Sequence, residues 1–338
     1  MKTKSNRPAR SLKDYLKILL KAGFVVGLLY YLSQKGFISL QHTKRAFSQW
    51  QFVLPAFLLL CTNLVIGTFR WQWLLQAQGI ELRWFRMLQL GLIGNFFNVA
   101  LPGAVSGDFV KAFYIAKEAP GKRARAFGSI LFDRVAGLSA LVLLATGALI
   151  TGLETFKGTA LVAAIQSFLI IAASCVVIFY SYLFLVTEKH DPVMKLLRKI
   201  ESKIPKAGSF VRIYESLRHY HNHRAVVAKA LLVSLLIHSL VGVCFYNFGM
   251  ALGETQLQLQ AVYVVMSLGL LITTIPVAPA GVGTGHAAFL YLFHLIGSER
   301  GADIFTLFAL MNFTLGAIGG LVYLRFRTTE PEPVLEVA

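Results

Sequence analysis

"NVALPGAVSGDFVKAF", residues 98–113, decides how the chain is read. It lies at the end of an apolar run, where a membrane helix should continue, yet it carries Pro102, Gly103, Gly107 and the carboxylate of Asp108. Backbone that leaves the helix inside hydrocarbon strands N–H and C=O groups at several kcal/mol each, so such a break persists only where protein or a watery cavity satisfies them. Pro102 removes a donor, while Gly103 and Gly107 permit tight turning and close backbone approach. A helix is expected to restart near Ser106 or Gly107, with its free N–H groups and positive dipole end facing the cavity. That end suits an anion such as a lipid phosphate. Asp108, in the first turn, caps this helix or combines the cap with a functional role.

The flanking chain explains why a membrane enters the reading at all. Over 338 residues, 56% are hydrophobic and only 14% are charged, more apolar material than one water-soluble core needs. Runs of membrane-crossing length recur at 16–32, 52–69, 127–150, 159–186, 226–252 and 304–324. Two shorter, interrupted runs lie near 87–101 and 261–297. The expected fold is an all-α polytopic membrane protein, a single membrane domain over 1–338 with six full spans and two re-entrant broken-helix hairpins. Basic residues precede the first run without a small-x-small cleavage site, which predicts a retained first helix rather than a signal peptide. Cys61, Cys175 and Cys244 all fall in apolar runs, so neither a disulfide framework nor zinc spacing is present.

The net charge of +17 is divided among loops, which argues against a nucleic-acid face and for the positive-inside bias of membrane proteins. With a cytoplasmic N-terminus and hairpins entering from opposite faces, 27 of the 33 lysines and arginines fall in cytoplasmic segments and five in outer loops. Reading both interrupted runs as full crossings would place the basic 106–126 cluster outside. The hairpin threading also gives each half one order of elements in opposite orientation, 16–150 and 159–325, an inverted repeat. "LPGAVSGD" (101–108) then has a loose counterpart in "APAGVGTGH" (278–286), which contains Pro279, Gly281, Gly283 and His286. Paired Gly/Pro-broken segments near the midplane point to a transporter's binding site.

Several side chains gain a candidate role from this placement. Asp133 and Arg134 lie inside a span, where charges need a partner or a water-filled cavity. An ion pair of Arg134 with Asp108 and a direct headgroup contact by Arg134 are the two readings. Asn95 and Asn98 sit one turn apart before Pro102 and can repair broken backbone or line the cavity. His286 holds after the second break the place of Asp108 after the first, either capping the hairpin or coupling to protons. Arg70, Trp71 and Trp73 read as an interfacial anchor. Segment 187–225 alternates apolar and basic residues at helical spacing and reads as a surface-lying amphipathic loop, while "HYHNH" (219–223) is a weak metal pattern.

"FRWQWLLQAQGI" (69–80), "NFFNVALPGAVSGDFVKAF" (95–113), "FDRVAGL" (132–138) and "PVAPAGVGTGHAAFLYLF" (276–293) together resemble, in order and spacing, the transmembrane part of the lysylphosphatidylglycerol synthase family, also called flippase-like domains. The resemblance covers nearly the whole membrane region. It implies an integral inner-membrane protein that moves or handles lipids. The full-length synthases add a soluble aminoacyl-transferase domain, whereas thirteen residues follow Arg325 here, so the chain is expected to synthesise nothing. His286 stands where many relatives carry an acid. Lys111 stands where Arg is common, keeping the charge without the bidentate fork.

The expected function is lipid translocation, with the headgroup visiting the hairpin tips and Asn95, Asn98, Pro102, Gly103, Gly107, Asp108, Lys111, Asp133, Arg134, Pro279, Gly281, Gly283 and His286 forming the site. No catalytic residue, metal or cofactor is expected, and no phosphate-binding loop for ATP is present. A secondary transporter of a small anion, a Ser106 hydrolase using His238 or His286, and a non-catalytic partner of an envelope-lipid enzyme are the alternatives. The partners are membrane lipids, either an anionic phospholipid or a lipid-linked substrate, with a homo-oligomer compatible and nucleic acid excluded. Both termini are placed in the cytoplasm.

Overall fold

The computed structural model describes residues 40–101, 106–151, 160–187, 190–204, 207–274 and 283–326. The expected span at 16–32 lies outside them, as do Pro102, Gly103, Pro279 and Gly281. All described elements are helical. After a short α1 (Leu40–Ser48) come α2 (Trp50–Ala77), α3 (Trp84–Ala100), α4 (Ser106–Glu118), α5 (Arg123–Thr151) and α6 (Ala160–Leu185). The second half contains α7 (Pro192–Lys203), α8 (Gly208–Arg218), a 3-10 turn (His219–Asn222), α9 (Arg224–Ala251), α10 (Leu259–Thr273), α11 (Thr284–His294) and α12 (Gly301–Arg325).

Five of these, α2, α5, α6, α9 and α12, are long and apolar enough to cross a membrane, matching five of the six expected spans. Helix α2 has 28 residues, about 42 Å at 1.5 Å per residue, against a hydrocarbon core of about 30 Å. On α6 the side chains of Ile170, Ile171, Val177 and Ile178 are all exposed. An oily outer surface of that extent suits acyl chains, not water.

The interrupted runs become pairs of short helices. Helices α3 and α4 have 17 and 13 residues, and α10 and α11 have 15 and 11, each too short to cross unaided. The first pair is antiparallel: Gly107 meets Gly94 and Asn98, Lys111 lies over Gly94, and Glu118 binds Arg86 near the start of α3. The 106–118 stretch is therefore the returning arm of this helix pair. In the second pair Gly269 of α10 leaves the space that the Phe289 ring of α11 occupies. Phe289 stacks on Phe305 at 4.9 Å and packs against Phe245 at 5.0 Å, tying α11 to α12 and α9 in the largest core cluster. Helix α2 packs along α9, α3 along α12, and α10 along α5.

Amphipathic segment 187–225 forms α7 and α8. Helix α7 exposes Val193, Leu196 and Ile200 along one face. Its neighbour is locked to the bundle through open helix ends, whose last four carbonyls lack intrahelical donors. Arg218 donates to the carbonyls of Leu183 (3.0 Å) and Tyr182 (3.3 Å), and Arg224 donates to that of Phe184. The "HYHNH" residues serve the same purpose: Tyr220 donates to the Leu74 carbonyl at 2.9 Å, His219 Nε2 faces the Ala77 carbonyl, and His221 Nδ1 faces that of Leu183. No cluster of metal-ligating side chains is present among the described residues.

Asp191 secures this lock. It caps α7 by accepting from the Met194 N–H at 2.9 Å, accepts from the Tyr182 and Tyr214 hydroxyls, and pairs with Arg218 at 3.0 Å. Burial pushes its carboxyl up, but these donors and the guanidinium outweigh that and hold it below the usual carboxylate range. A depressed carboxyl contributes stability that is present above its unfolded value of about 3.9 and is lost as pH falls through the lower folded value. Asp191→Asn is thus expected to lower the melting temperature at neutral pH and to flatten its decline on acidification below about pH 4. Melting curves of wild type and variant that decline in parallel below that pH would show that Asp191 is not the titrating group.

Candidate functional site: the hairpin tip and an asparagine-lined cavity

Helix α3 ends where Leu101 turns extended (φ −113°, ψ 151°), and α4 restarts at Ser106, within the expected range. Its second residue, Gly107, lies so close to α3 that an added Cβ would stand 1.9 Å from the Gly94 carbonyl oxygen. That approach lets the Gly107 N–H donate to Asn98 Oδ1 at 2.8 Å, so Asn98 satisfies one of the open donors of the restarted helix. Asp108 follows, 3% exposed. Its carboxylate is shared by two cations: Lys111 Nζ lies 2.7 Å from Oδ1, and Arg134 Nε of α5 lies 2.5 Å from Oδ2. The expected Arg134–Asp108 ion pair is present, and Lys111 makes it a triad. Gly94, with no Cβ, leaves room for the Lys111 stem, and the ammonium lies 4.8 Å from the centre of the Trp71 ring.

Asp133 serves another site. Successive helical residues diverge by about 100°, so Asp133 faces away from its neighbour's partner. It receives a bidentate pair from Arg70 of α2, at 2.8 and 2.9 Å, while Arg70 also donates to Ser234 Oγ of α9 at 2.7 Å. The expectation that Arg70 and Trp71 anchor the interface is corrected here. Helix α2 continues to Ala77, which leaves Arg70 within the bundle and Trp71 only 3% exposed. Arg70 joins three helices, and its fork geometry suits that task.

Beside Lys111 lies a cavity of about 260 Å³ between α2, α3, α9 and α12. Leu60, Val241, Phe308 and Leu315 form apolar walls, and Asn63, Asn95, Asn98, Asn312 and Lys111 are its polar lining. Asn63 is 9% exposed, and neither atom of its amide has a hydrogen-bond partner among the described residues. Asn312 spends a donor on the Phe308 carbonyl at 2.9 Å. Asn63 is at the midpoint of α2 and Asn312 close to that of α12, each about 15–20 Å from its helix ends. A polar chamber at that depth can hold a hydrophilic group that hydrocarbon would reject. Neither Asn63 nor Asn312 was singled out from sequence, although a lone amide in the middle of an apolar span is the signal that marks both.

His286 and Gly283 are brought to the second hairpin. Gly283 has φ +90°, a conformation that favours glycine, and its N–H donates to His286 Nδ1 at 3.3 Å. His286 Nε2 faces Thr306 Oγ1 of α12 at 3.1 Å, and the ring stands edge-on to Phe305. Both ring nitrogens thus hold the restart of α11 against α12, the capping arrangement. The asparagine cavity is lined without it.

The chain is similar to the UPF0104 membrane protein PH1989 of Pyrococcus horikoshii, 23% identical over 336 residues that cover 94% of this chain and 98% of that one. No solved structure matches it. The lysylphosphatidylglycerol synthase transmembrane region matches residues 18–320, which takes in both hairpins, the Asp108 triad and the asparagine cavity. Nearly all the described helices fall within that match, and the chain belongs to the lysylphosphatidylglycerol synthase transmembrane-region family.

Proposed function

We propose that this protein translocates lipids between membrane leaflets, the polar headgroup passing through the asparagine cavity while the acyl chains stay in the bilayer. The observation that carries this reading is the mid-span chamber whose Asn63 amide is buried without a partner among the described residues. An unpaired buried amide costs about 1–3 kcal/mol, a penalty that a visiting hydroxyl or phosphate oxygen would relieve. Lys111, paired with Asp108, lines the chamber with its ammonium and can donate to a headgroup oxygen. The hairpins act as re-entrant elements of an inverted repeat. Helix packing supports that reading, because α3 sits on α12 as α10 sits on α5, with α2 against α9 between them. The distribution of lysine and arginine supports an inner-membrane protein with both termini in the cytoplasm. Asp108, Arg134 and Asn98 hold the hairpin tip at the chamber, and no bond-making step is required of them.

Reconstitution tests this directly. In vesicles containing fluorescent phosphatidylglycerol, wild-type protein is expected to expose inner-leaflet label to an external quencher. Asn63→Leu combined with Asn312→Leu is expected to slow that exposure by about fivefold to a hundredfold, since two lost hydrogen bonds amount to about 1–3 kcal/mol. Leucine keeps a similar volume, so the fold should survive. A correctly folded double variant that exchanged lipid at the wild-type rate would remove the cavity from the transport path.

A further inference from the structure

Along α4 from Phe109 onward and beyond the helix's C-terminal end, two further cavities of about 1050 and 580 Å³ adjoin, sharing Gly121, Ala124 and Arg212. The larger is a groove. Phe109, Phe113 and Ala116 recur on one face of α4 at helical spacing and line it together with Phe127 of α5 and Ile213 of α8. Phe109 and Phe113 are 60% and 56% exposed, so this apolar bed is uncovered among the described residues. Its rim carries Lys117, Arg123 and Arg212.

The smaller cavity is a cationic chamber whose charges do not balance. Arg218 is matched by Asp191, and Arg198 by Glu215 at 3.5 Å. Among the described residues Arg125 donates to the Gln78 carbonyl at 3.5 Å and Arg212 to the Ser209 hydroxyl at 3.2 Å, and neither lies within ion-pair distance of an acid. With Lys117 and Arg123, four cations line the joined cavities without an acidic partner among the described residues. An apolar trough leading into uncompensated guanidinium groups complements an amphiphile with a chain at one end and a negative charge at the other. A free anion would leave the phenylalanine bed empty. A zwitterionic headgroup would bring its own cation into the arginines.

We propose that this groove and chamber form a loading site for an anionic phospholipid, whose acyl chain lies along Phe109, Phe113 and Phe127 while its phosphate engages Arg123, Arg125 and Arg212. Helix α4 joins this site to the hairpin tip: Lys117 lies nine residues, about 14 Å, along it from Asp108. The inference rests on the lipid-handling reading for its biological sense, but binding and translocation are measured separately.

Full-length protein in nanodiscs containing equal phosphatidylglycerol and phosphatidylcholine, with retained lipid quantified by mass spectrometry, tests the site. Wild type is expected to retain phosphatidylglycerol preferentially, and Arg123→Gln with Arg212→Gln is expected to cut that preference about tenfold. Arg123→Lys with Arg212→Lys should keep most of it. Rising salt should erode it in wild type, a readout that stands even where the glutamine variant fails to fold. Equal retention of both lipids by wild type, a glutamine variant that keeps the full preference, or displacement of the lipid by inorganic phosphate alone would overturn the proposal. Leaflet exchange measured on the same preparations separates the two readings. Selective retention without exchange would leave the loading site standing and remove translocation, whereas exchange without arginine-dependent retention would do the reverse.

Discussion

Asp108→Ala is expected to lower the stability of the protein by up to about 3–5 kcal/mol and to abolish lipid exchange, because it leaves two partly buried cations without this carboxylate. Lys111 and Arg134 converge on Asp108 from α4 and α5, with their side chains 16% and 32% exposed. In a low-dielectric bundle each cation carries a desolvation penalty that only a nearby negative charge offsets. Removing the acid removes that offset from both. Removing a cation as well should be gentler: Asp108→Ala with Lys111→Met is expected to regain part of the loss, since methionine leaves one fewer charge to satisfy. Thermal unfolding in detergent, followed by tryptophan fluorescence, measures both variants. If the single and double variants lost equal stability, Lys111 and Asp108 would not be coupled, and the triad would not be what holds the hairpin.

Gly107→Ala should be nearly as damaging for a different reason. The new Cβ would stand 1.9 Å from the Gly94 oxygen, 2.6 Å from the Gly94 carbonyl carbon and 2.9 Å from Asn98 Oδ1. Two of these atoms are backbone, so no rotamer change relieves the clash, and α4 must move away from α3. Overpacking costs about 1–3 kcal/mol, and the stretched Asn98–Gly107 hydrogen bond adds about 1 kcal/mol. Gly147 of α5 supplies the control, because no described residue lies within 4 Å of a Cβ added there. Gly147→Ala is expected to be neutral or stabilising by up to about 1 kcal/mol. Melting temperatures that fell equally in the two variants would refute the close approach of the hairpin arms. The expected gap between them rests on tertiary contact alone, since the substitution is chemically the same.

The features legible from sequence are those set by local length and polarity. Five spans could be read because a run of about 20 apolar residues has few alternatives to a membrane helix. The restart at Ser106 was legible because proline and glycine leave a helix few ways to continue through "LPGAVSG". The Arg134–Asp108 pair could be anticipated because an intramembrane charge needs a partner and few were available. Other assignments depended on which helix lay beside which. Arg70 follows an apolar run and looks like an interfacial cation until Asp133, 63 residues away, is found facing it. Asn63 and Asn312 look like isolated polar residues until α2 and α12 face each other across one cavity. The histidines of "HYHNH" suggest a metal until the carbonyl ends of α2 and α6 are seen to lie against them. Local chemistry determined where this chain enters the bilayer, where it breaks and which groups need satisfying. Only the packing of helices distant in sequence decided which groups satisfy them and which amide has no partner among the described residues, because hydrogen bonds and ion pairs form between neighbours in space.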